Sequence, residues 1–200
     1  GETFGLASFV LNAPTRQYGM VTTERSLFLI ISKENFRPFL SVNPTLETCL
    51  IDSTKRFLLQ RYAMLRSSIF HSFSEAELEV AARAARIERI SQGQTVYSKG
   101  DAATAFYVVA HGELHRDYGS GGSSGKRQLK VGAYFGEIGV MLPRTGCLAT
   151  IKATVDSTLL VIGKQDFVRL LQGSNEQAPG APPPYSNGGG RDGSGKPVAG

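Results

Sequence analysis

The chain contains the same stretch of sequence twice. Residues 4–40 align without a gap on residues 135–171, at a constant offset of 131 positions (135 − 4 = 131), and ten of the 37 aligned pairs are identical. The identical pairs include Phe4/Phe135, Gly5/Gly136, Thr23/Thr154, Ile31/Ile162, Lys33/Lys164, Phe36/Phe167 and Leu40/Leu171. Because residues 41–134 separate the copies, this is the same portion of a whole domain recurring, not a short solenoid repeat. We therefore expect the chain to begin inside one domain and to continue through a complete second one.

Composition and charge narrow the class of protein. With 200 residues and a hydrophobic content of 41%, the chain can bury real cores. It lacks an initiator Met, so we expect a piece of a longer polypeptide. The longest apolar run, Leu27–Ile31, is far shorter than the roughly 18 residues of a membrane span. The net charge of +5 is not gathered in a Lys/Arg block, which argues against nucleic-acid binding.

The residue types that often carry chemistry are isolated here. Cys49 and Cys147 lack CxxC or His partner spacing, which indicates reduced thiols in a cytoplasmic chain and, at Cys147, a small buried filler. His111 and His115 are interpreted as turn and surface residues, not as metal ligands. No stretch resembles a catalytic triad, a Walker loop or a kinase signature, so we expect no enzyme and no cofactor from these residues.

Helices are predicted from their start signals. Asn43-Pro44 places an N-cap residue before Pro at the first helical position, and the helix should continue with interruptions to about Ser67. Ser74-Glu75-Ala76-Glu77 is a capping box, which predicts a helix to about Ala85. Short amphipathic runs at 33–40 and 164–171 predict a closing helix in each copy of the repeat.

Strands are predicted in both copies and between them. Met20–Ile31 and Thr150–Ile162 are rich in apolar and β-branched residues around a polar turn. Short strands punctuated by glycine turns are predicted at Ile87–Ile90, Thr95–Tyr97, Phe106–Ala110 and Glu113–Tyr118. This spacing favours a small antiparallel sandwich or barrel. Gly119–Gly125 is predicted to be a flexible hairpin loop, and the Gly/Pro/Ser-rich tail from Gly173 is predicted to be disordered.

The motif that suggests binding chemistry is Phe135-Gly136-Glu137-Ile138-Gly139, followed by an apolar turn and Pro143-Arg144-Thr145. Glycines let backbone N–H groups approach an anion, and an Arg can bind a phosphate. A carboxylate in such a nest suits a ligand that also carries hydroxyl groups. A structural corner without any ligand is the alternative interpretation of the same residues.

The second copy resembles a cyclic nucleotide-binding domain. Three blocks carry the resemblance: residues 93–101, residues 106–114 and residues 134–142. The resemblance implies an α+β fold, an antiparallel β-jelly-roll barrel with flanking helices, preceded by the C-terminal part of a second such domain. The implied division is 1–42 for the truncated domain, 43–67 for a helical connector, 68–172 for the complete domain and 173–200 for the tail.

The resemblance also implies roles for individual residues. Glu137 stands where the family's Glu accepts a hydrogen bond from the ribose 2′-hydroxyl. The family's phosphate-binding Arg comes nine or ten residues later, where this chain has Gly146 or Cys147. Either the loop is rebuilt around Arg144, seven residues after the Glu, or the phosphate contact is lost. Thr145 directly follows Arg144, as in the cyclic-GMP-preferring branch.

The first copy departs from the pattern in the opposite way. Arg16 keeps the family spacing for a phosphate ligand, but Leu6 stands at the Glu position. A Leu cannot accept the ribose hydroxyl, and a buried hydroxyl left unpaired costs about 1–3 kcal/mol. We therefore interpret Arg16 as part of a degenerate first site.

The function that the resemblance implies is a regulatory module that senses cAMP or cGMP and shifts helices on binding. A ligand-free interaction scaffold is one alternative, because each copy lacks one of two polar ligands. The other is the regulatory arm of a kinase or a cyclic nucleotide-gated potassium channel. The expected partners are a cyclic nucleotide and a kinase catalytic domain or other effector.

Overall fold

A computed structural model describes residues 3–14, 19–64, 69–119, 126–142 and 144–176 of the chain. The helices are α1 (Leu6–Val10), α2 (Lys33–Ser41), α3 (Pro44–Ala63), a 3₁₀ turn (Ile69–Ser72), α4 (Glu75–Ala84), α5 (Glu137–Met141) and α6 (Lys164–Glu176). The strands are β1 (Arg86–Ile90), β2 (Thr95–Tyr97), β3 (Ala105–His111), β4 (Leu114–Asp117), β5 (Lys126–Leu129), β6 (Tyr134–Phe135), β7 (Thr150–Ala153) and β8 (Ser157–Gly163).

The strands form two antiparallel four-stranded sheets. One has the order β1-β8-β3-β6 and the other the order β2-β7-β4-β5, which is a jelly roll of eight strands. All eight strands lie within residues 86–163. In each sheet a late strand lies between two early ones, β8 between β1 and β3 and β7 between β2 and β4. The predicted antiparallel jelly roll with flanking helices is therefore confirmed, as two facing sheets.

The first sheet is covered on both faces, which explains its continuous apolar runs. Along β3, Phe106 and Val108 belong to a cluster beneath the helices, while Tyr107 and Val109 belong to the cluster between the two sheets. Strand β8 follows the same alternation. Because successive side chains point to opposite faces, a strand buried on both sides has no polar alternate positions.

Helices α3, α4 and α6 pack on the outer face of this sheet. The predicted capping box is present, since the Glu77 N–H donates to Ser74 Oγ at 3.3 Å and the Ser74 N–H donates to Glu77 Oε2 at 2.7 Å. Phe167 of α6 is fully buried and stacks on Phe106, with ring centroids 4.1 Å apart and an interplanar angle of 6°. Buried Lys55 of α3 donates to the carbonyl oxygen of Ala85 at 2.9 Å, which ties α3 to the end of α4.

The two copies of the repeat agree in their helices. Helix α1 follows Gly5 with φ of 82°, and α5 follows Gly136 with φ of 90°, at equivalent positions of the repeat. Helices α2 and α6 begin at the equivalent residues Lys33 and Lys164. The closing helices predicted in both copies are confirmed, and α6 continues to Glu176, four residues into the predicted tail.

The strand predicted at Met20–Ile31 is wrong. No described residue between Gly19 and Ser32 is in a strand, and Leu27 and Leu29 are 99% and 93% exposed. In the second copy, β7 and β8 are paired by strands that lie between 86 and 117, and no described residues fill that place for the first copy. Isolated strands of this length are at best marginally stable in water.

Candidate functional site

The Phe-Gly-Glu motif forms a sharp corner between β6 and α5. Phe135 is fully buried and stacks on Tyr107 with ring centroids 4.9 Å apart, which anchors the corner in the core. Gly136 has φ of 90°, in the left-handed region, and a Cβ there would lie 2.7 Å from the carbonyl oxygen of Ala105. A glycine is therefore required at this position both by conformation and by space.

The loop that contains Gly146 and Cys147 is held by backbone hydrogen bonds. The Gly100 N–H donates to the carbonyl oxygen of Cys147 at 2.8 Å, and the Cys147 N–H donates to the carbonyl oxygen of Asp101 at 2.9 Å. Gly139 of α5 lies close against this loop, since a Cβ there would be 2.7 Å from the carbonyl oxygen of Gly146. The turn between β2 and β3 thus fixes the loop that faces α5.

A cleft opens between this corner and the second sheet. The residues that line it are Tyr97, Arg116, Tyr118, Gly136, Glu137, Ile138, Gly139, Cys147, Leu148 and Ala149. Glu137 is half-buried, and its carboxylate makes no hydrogen bond or ion pair with the described residues. The cleft is open to solvent, and its volume of about 40 Å³ is far below the roughly 300–1,000 Å³ of small-molecule pockets.

The predicted site residues divide into three groups. Gly136, Glu137, Ile138 and Gly139 come together on the cleft, with Phe135 buried beneath them. Arg144 and Thr145 are exposed and do not belong to the described lining, so their ligand roles stay predictions. Arg16 lies outside the described residues.

Sequence reasoning missed Arg116. This residue lies on β4, opposite Ile151 of β7, and lines the cleft together with Glu137. Its signal in the sequence is the alternation of β4, because Arg116 shares a strand face with Leu114, which is fully buried between the sheets. A charged residue two positions from a core Leu marks a place where the sheet interior meets a polar cleft.

The pKa of the Tyr97 phenol is shifted by burial and by the charges in the cleft. Burial raises its pKa above the ordinary 10.0, the charged form of Cys147 and the Glu137 carboxylate raise it further, and the Arg116 guanidinium opposes the shift. Burial likewise raises the pKa of the Cys147 thiol, which therefore stays neutral near pH 7. Arg116 and Glu137 thus both act on one phenol group, which places opposite charges around a single small volume.

The raised Tyr97 pKa predicts a loss of stability at alkaline pH. Above pH 10.0 the unfolded chain loses the phenol proton while the folded chain keeps it, so the free energy of unfolding falls with rising pH. The contribution of Tyr97 to the free energy of unfolding is fully present below the unfolded-state pKa. It is lost as the pH rises from that value towards the folded-state pKa. Urea unfolding from about pH 8 to about pH 11 should show a steeper decline for the wild type than for Tyr97→Phe. Parallel pH curves would contradict the assignment.

No three His, Cys, Asp or Glu side chains in the described part of the chain come together as a metal site would require. None of the described helices has the length and apolar character needed to cross a lipid bilayer.

Comparison with known proteins identifies related sequences. The family model described as "Cyclic nucleotide-binding domain" matches residues 87–174. The cAMP-dependent protein kinase regulatory subunit of Eremothecium gossypii is 30% identical over 173 residues, which cover 86% of this chain and 34% of that protein. The cGMP-dependent 3′,5′-cGMP phosphodiesterase A of Dictyostelium discoideum is 30% identical over 108 residues, which cover 54% of this chain and 12% of that protein. The chain therefore spans about a third or less of the length of these relatives.

Solved structures show the same fold. The regulatory domain of Toxoplasma gondii PKA, crystallised with cAMP, matches 73% of this chain and 53% of its own chain, with a TM-score of 0.54 and 18% identity. The sensor domain of the transcriptional regulator DNR from Pseudomonas aeruginosa matches 62% of this chain and 81% of its own, with a TM-score of 0.50 and 21% identity. At these identities the likeness supports the fold alone, so any ligand has to be inferred from the residues of the site.

Proposed function

We propose that the chain is a regulatory module that binds cAMP or cGMP in the cleft beside Glu137, because the cyclic nucleotide-binding domain model matches residues 87–174. By analogy with the relative from E. gossypii, a kinase catalytic domain is the partner that we propose for the whole protein. The chain's own role is then binding and regulation, not catalysis. The two free thiols, Cys49 and Cys147, suit a reducing compartment such as the cytoplasm.

One observation carries the proposal: a half-buried carboxylate without a partner among the described residues lines the cleft. Partial burial of a charged group is costly unless a hydrogen-bonding partner compensates it. Glu137 is held there by the left-handed turn at Gly136 and by buried Phe135, so its position is built into the fold. A ribose hydroxyl would supply the missing donor.

The proposed switch follows from how α5 is packed. Val140 of α5 belongs to the same buried cluster as Phe167 of α6 and Leu58 of α3. A ligand that widens the cleft on the side of Glu137, Ile138 and Gly139 moves α5 relative to this cluster. The ligand favours the displaced arrangement only by binding it more tightly than the closed one, which links nucleotide binding to helices α3 and α6.

The alternative of a ligand-free scaffold also has a specific observation behind it. Cys147 occupies the repeat position of Arg16, so the usual place of the phosphate-binding Arg holds a neutral thiol. Together with the small cleft volume, this is the arrangement expected of a domain that keeps its fold after losing its ligand. Binding measurements separate the two functions directly.

The test is calorimetry of the full chain with cAMP and with cGMP, wild type beside Glu137→Gln. We expect binding by the wild type and about tenfold or greater weakening in Glu137→Gln, because a hydrogen bond to a charged group contributes about 1.5–3 kcal/mol. Exposed Glu24→Gln is the matched control and should bind as the wild type does. No heat and no thermal shift at millimolar nucleotide would favour the scaffold instead.

A further inference from the structure

We propose that Arg116 supplies the cation that pairs with the cyclic phosphate, in place of the Arg that the second copy lacks. The inference rests on the proposed function, because it names the residue that would make that site competent for an anion. From the sequence, either Arg144 makes this contact or the contact is lost. The structure brings a different guanidinium to the cleft, from a strand of the opposite sheet.

The Arg116 side chain is held at the cleft and keeps donors in reserve. Nη2 donates to the carbonyl oxygen of Tyr134 at 3.1 Å, directly before the Phe-Gly-Glu corner, and Nη1 lies 3.4 Å from the Tyr118 hydroxyl. A guanidinium carries five N–H donors. These two contacts therefore position the group while leaving donors for a phosphate, which an Arg can bind through two parallel hydrogen bonds.

The usual source of positive charge is absent from the described lining. Cys147, the counterpart of Arg16, lines the cleft as a buried neutral thiol. Arg144 lies on the exposed side with φ of 75° and does not belong to the described lining. Among the described lining residues, Arg116 is the one cation, so an anion that enters this cleft has a single guanidinium to pair with.

The two charges of the cleft are complementary to a cyclic nucleotide. Arg116 and Glu137 line the same cleft, yet they form no ion pair within the described residues. Each charge therefore keeps its capacity for a ligand group of the matching kind. A ribose cyclic phosphate presents a hydroxyl donor for the carboxylate and an anionic acceptor for the guanidinium, a short distance apart on one molecule.

The test is the affinity of the full chain for a cyclic nucleotide relative to the matching nucleoside, which lacks the phosphate. Titrations use cAMP and adenosine, and cGMP and guanosine, with wild type, Arg116→Gln and Arg144→Gln. We expect Arg116→Gln to weaken the cyclic nucleotide by about tenfold or more while leaving the nucleoside nearly unchanged. Exposed Arg144→Gln removes the same charge outside the cleft and should stay within about twofold of the wild type.

The outcomes distinguish this inference from the proposed function. A wild type that binds neither nucleotide sinks the proposed function itself. A wild type that binds while Arg116→Gln binds equally well or more tightly overturns the role of Arg116, and so does a large loss in Arg144→Gln. If Arg116→Gln unfolds, Arg116→Lys takes its place, because it keeps the positive charge without the paired N–H donors of a guanidinium. It should keep part of the wild type's preference for nucleotide over nucleoside, and an undiminished preference or none at all counts against the inference.

Discussion

Phe167→Ala should lower the free energy of unfolding by about 3–5 kcal/mol, the usual cost of truncating a fully buried Phe. Phe167 is 0% exposed, and its ring lies parallel to that of Phe106 at a centroid separation of 4.1 Å. Phe106 also contacts Phe70 and Tyr134 edge-on or tilted, so the neighbours of Phe167 are held by other rings and cannot collapse into the space left behind. Urea unfolding of the full chain measures the loss.

The repeat provides the matched control for this variant. Phe36 is the identical residue at the equivalent position of the first copy, but it is only half-buried. Phe36→Ala removes the same atoms from a helix that packs on no sheet of the described residues, so we expect less than half the loss of Phe167→Ala. Equal losses in the two variants would mean that burial against the first sheet is not what makes Phe167 important.

The features that sequence predicted well are those decided by neighbouring residues. The capping box at Ser74 and the Asn43-Pro44 helix start depend on residues within one turn, and both helices form. The Asn43 side chain makes no cap hydrogen bond and donates instead to the carbonyl oxygen of Phe39. The left-handed glycine at Gly136 depends on the local corner, and its counterpart Gly5 adopts the same conformation. Turn and cap signals therefore survive in the first copy, although none of its described residues is in a strand.

The features that sequence did not predict depend on residues far along the chain. Leu27–Ile31 has strand composition, but strand pairing needs partners at a distance, and none of the described residues supplies them. Arg116 enters the site because β4 pairs with β7 in one register, which brings it beside the loop that carries Cys147. Spacing within the Phe-Gly-Glu motif contains no information about that register, so motif comparison offers only Arg144 or the loss of the phosphate contact.

Gly136→Ala should cost about 2–5 kcal/mol of stability and also weaken nucleotide binding. A non-glycine residue in the left-handed region costs about 1–2 kcal/mol, and forcing extra atoms into a packed site costs about 1–3 kcal/mol more. The added Cβ would lie 2.7 Å from the carbonyl oxygen of Ala105 and 3.1 Å from the Tyr107 ring. Neither neighbour can move away easily. The carbonyl oxygen of Ala105 belongs to the backbone of β3, and the Tyr107 ring is stacked on Phe135. The corner itself must therefore shift, and Glu137 shifts with it.

Gly93→Ala separates the two contributions. Gly93 has φ of 81° and nothing within 4 Å of an added Cβ, so this variant carries the conformational cost alone, about 1–2 kcal/mol. It lies outside the cleft and should bind nucleotide as the wild type does. Urea unfolding and calorimetry of both variants give the comparison. If Gly136→Ala lost no more stability than Gly93→Ala and bound nucleotide normally, the close approach of β3 would not be what positions the carboxylate. A loss of binding confined to Gly136→Ala would instead show that the site depends on a backbone contact between the corner and the sheet.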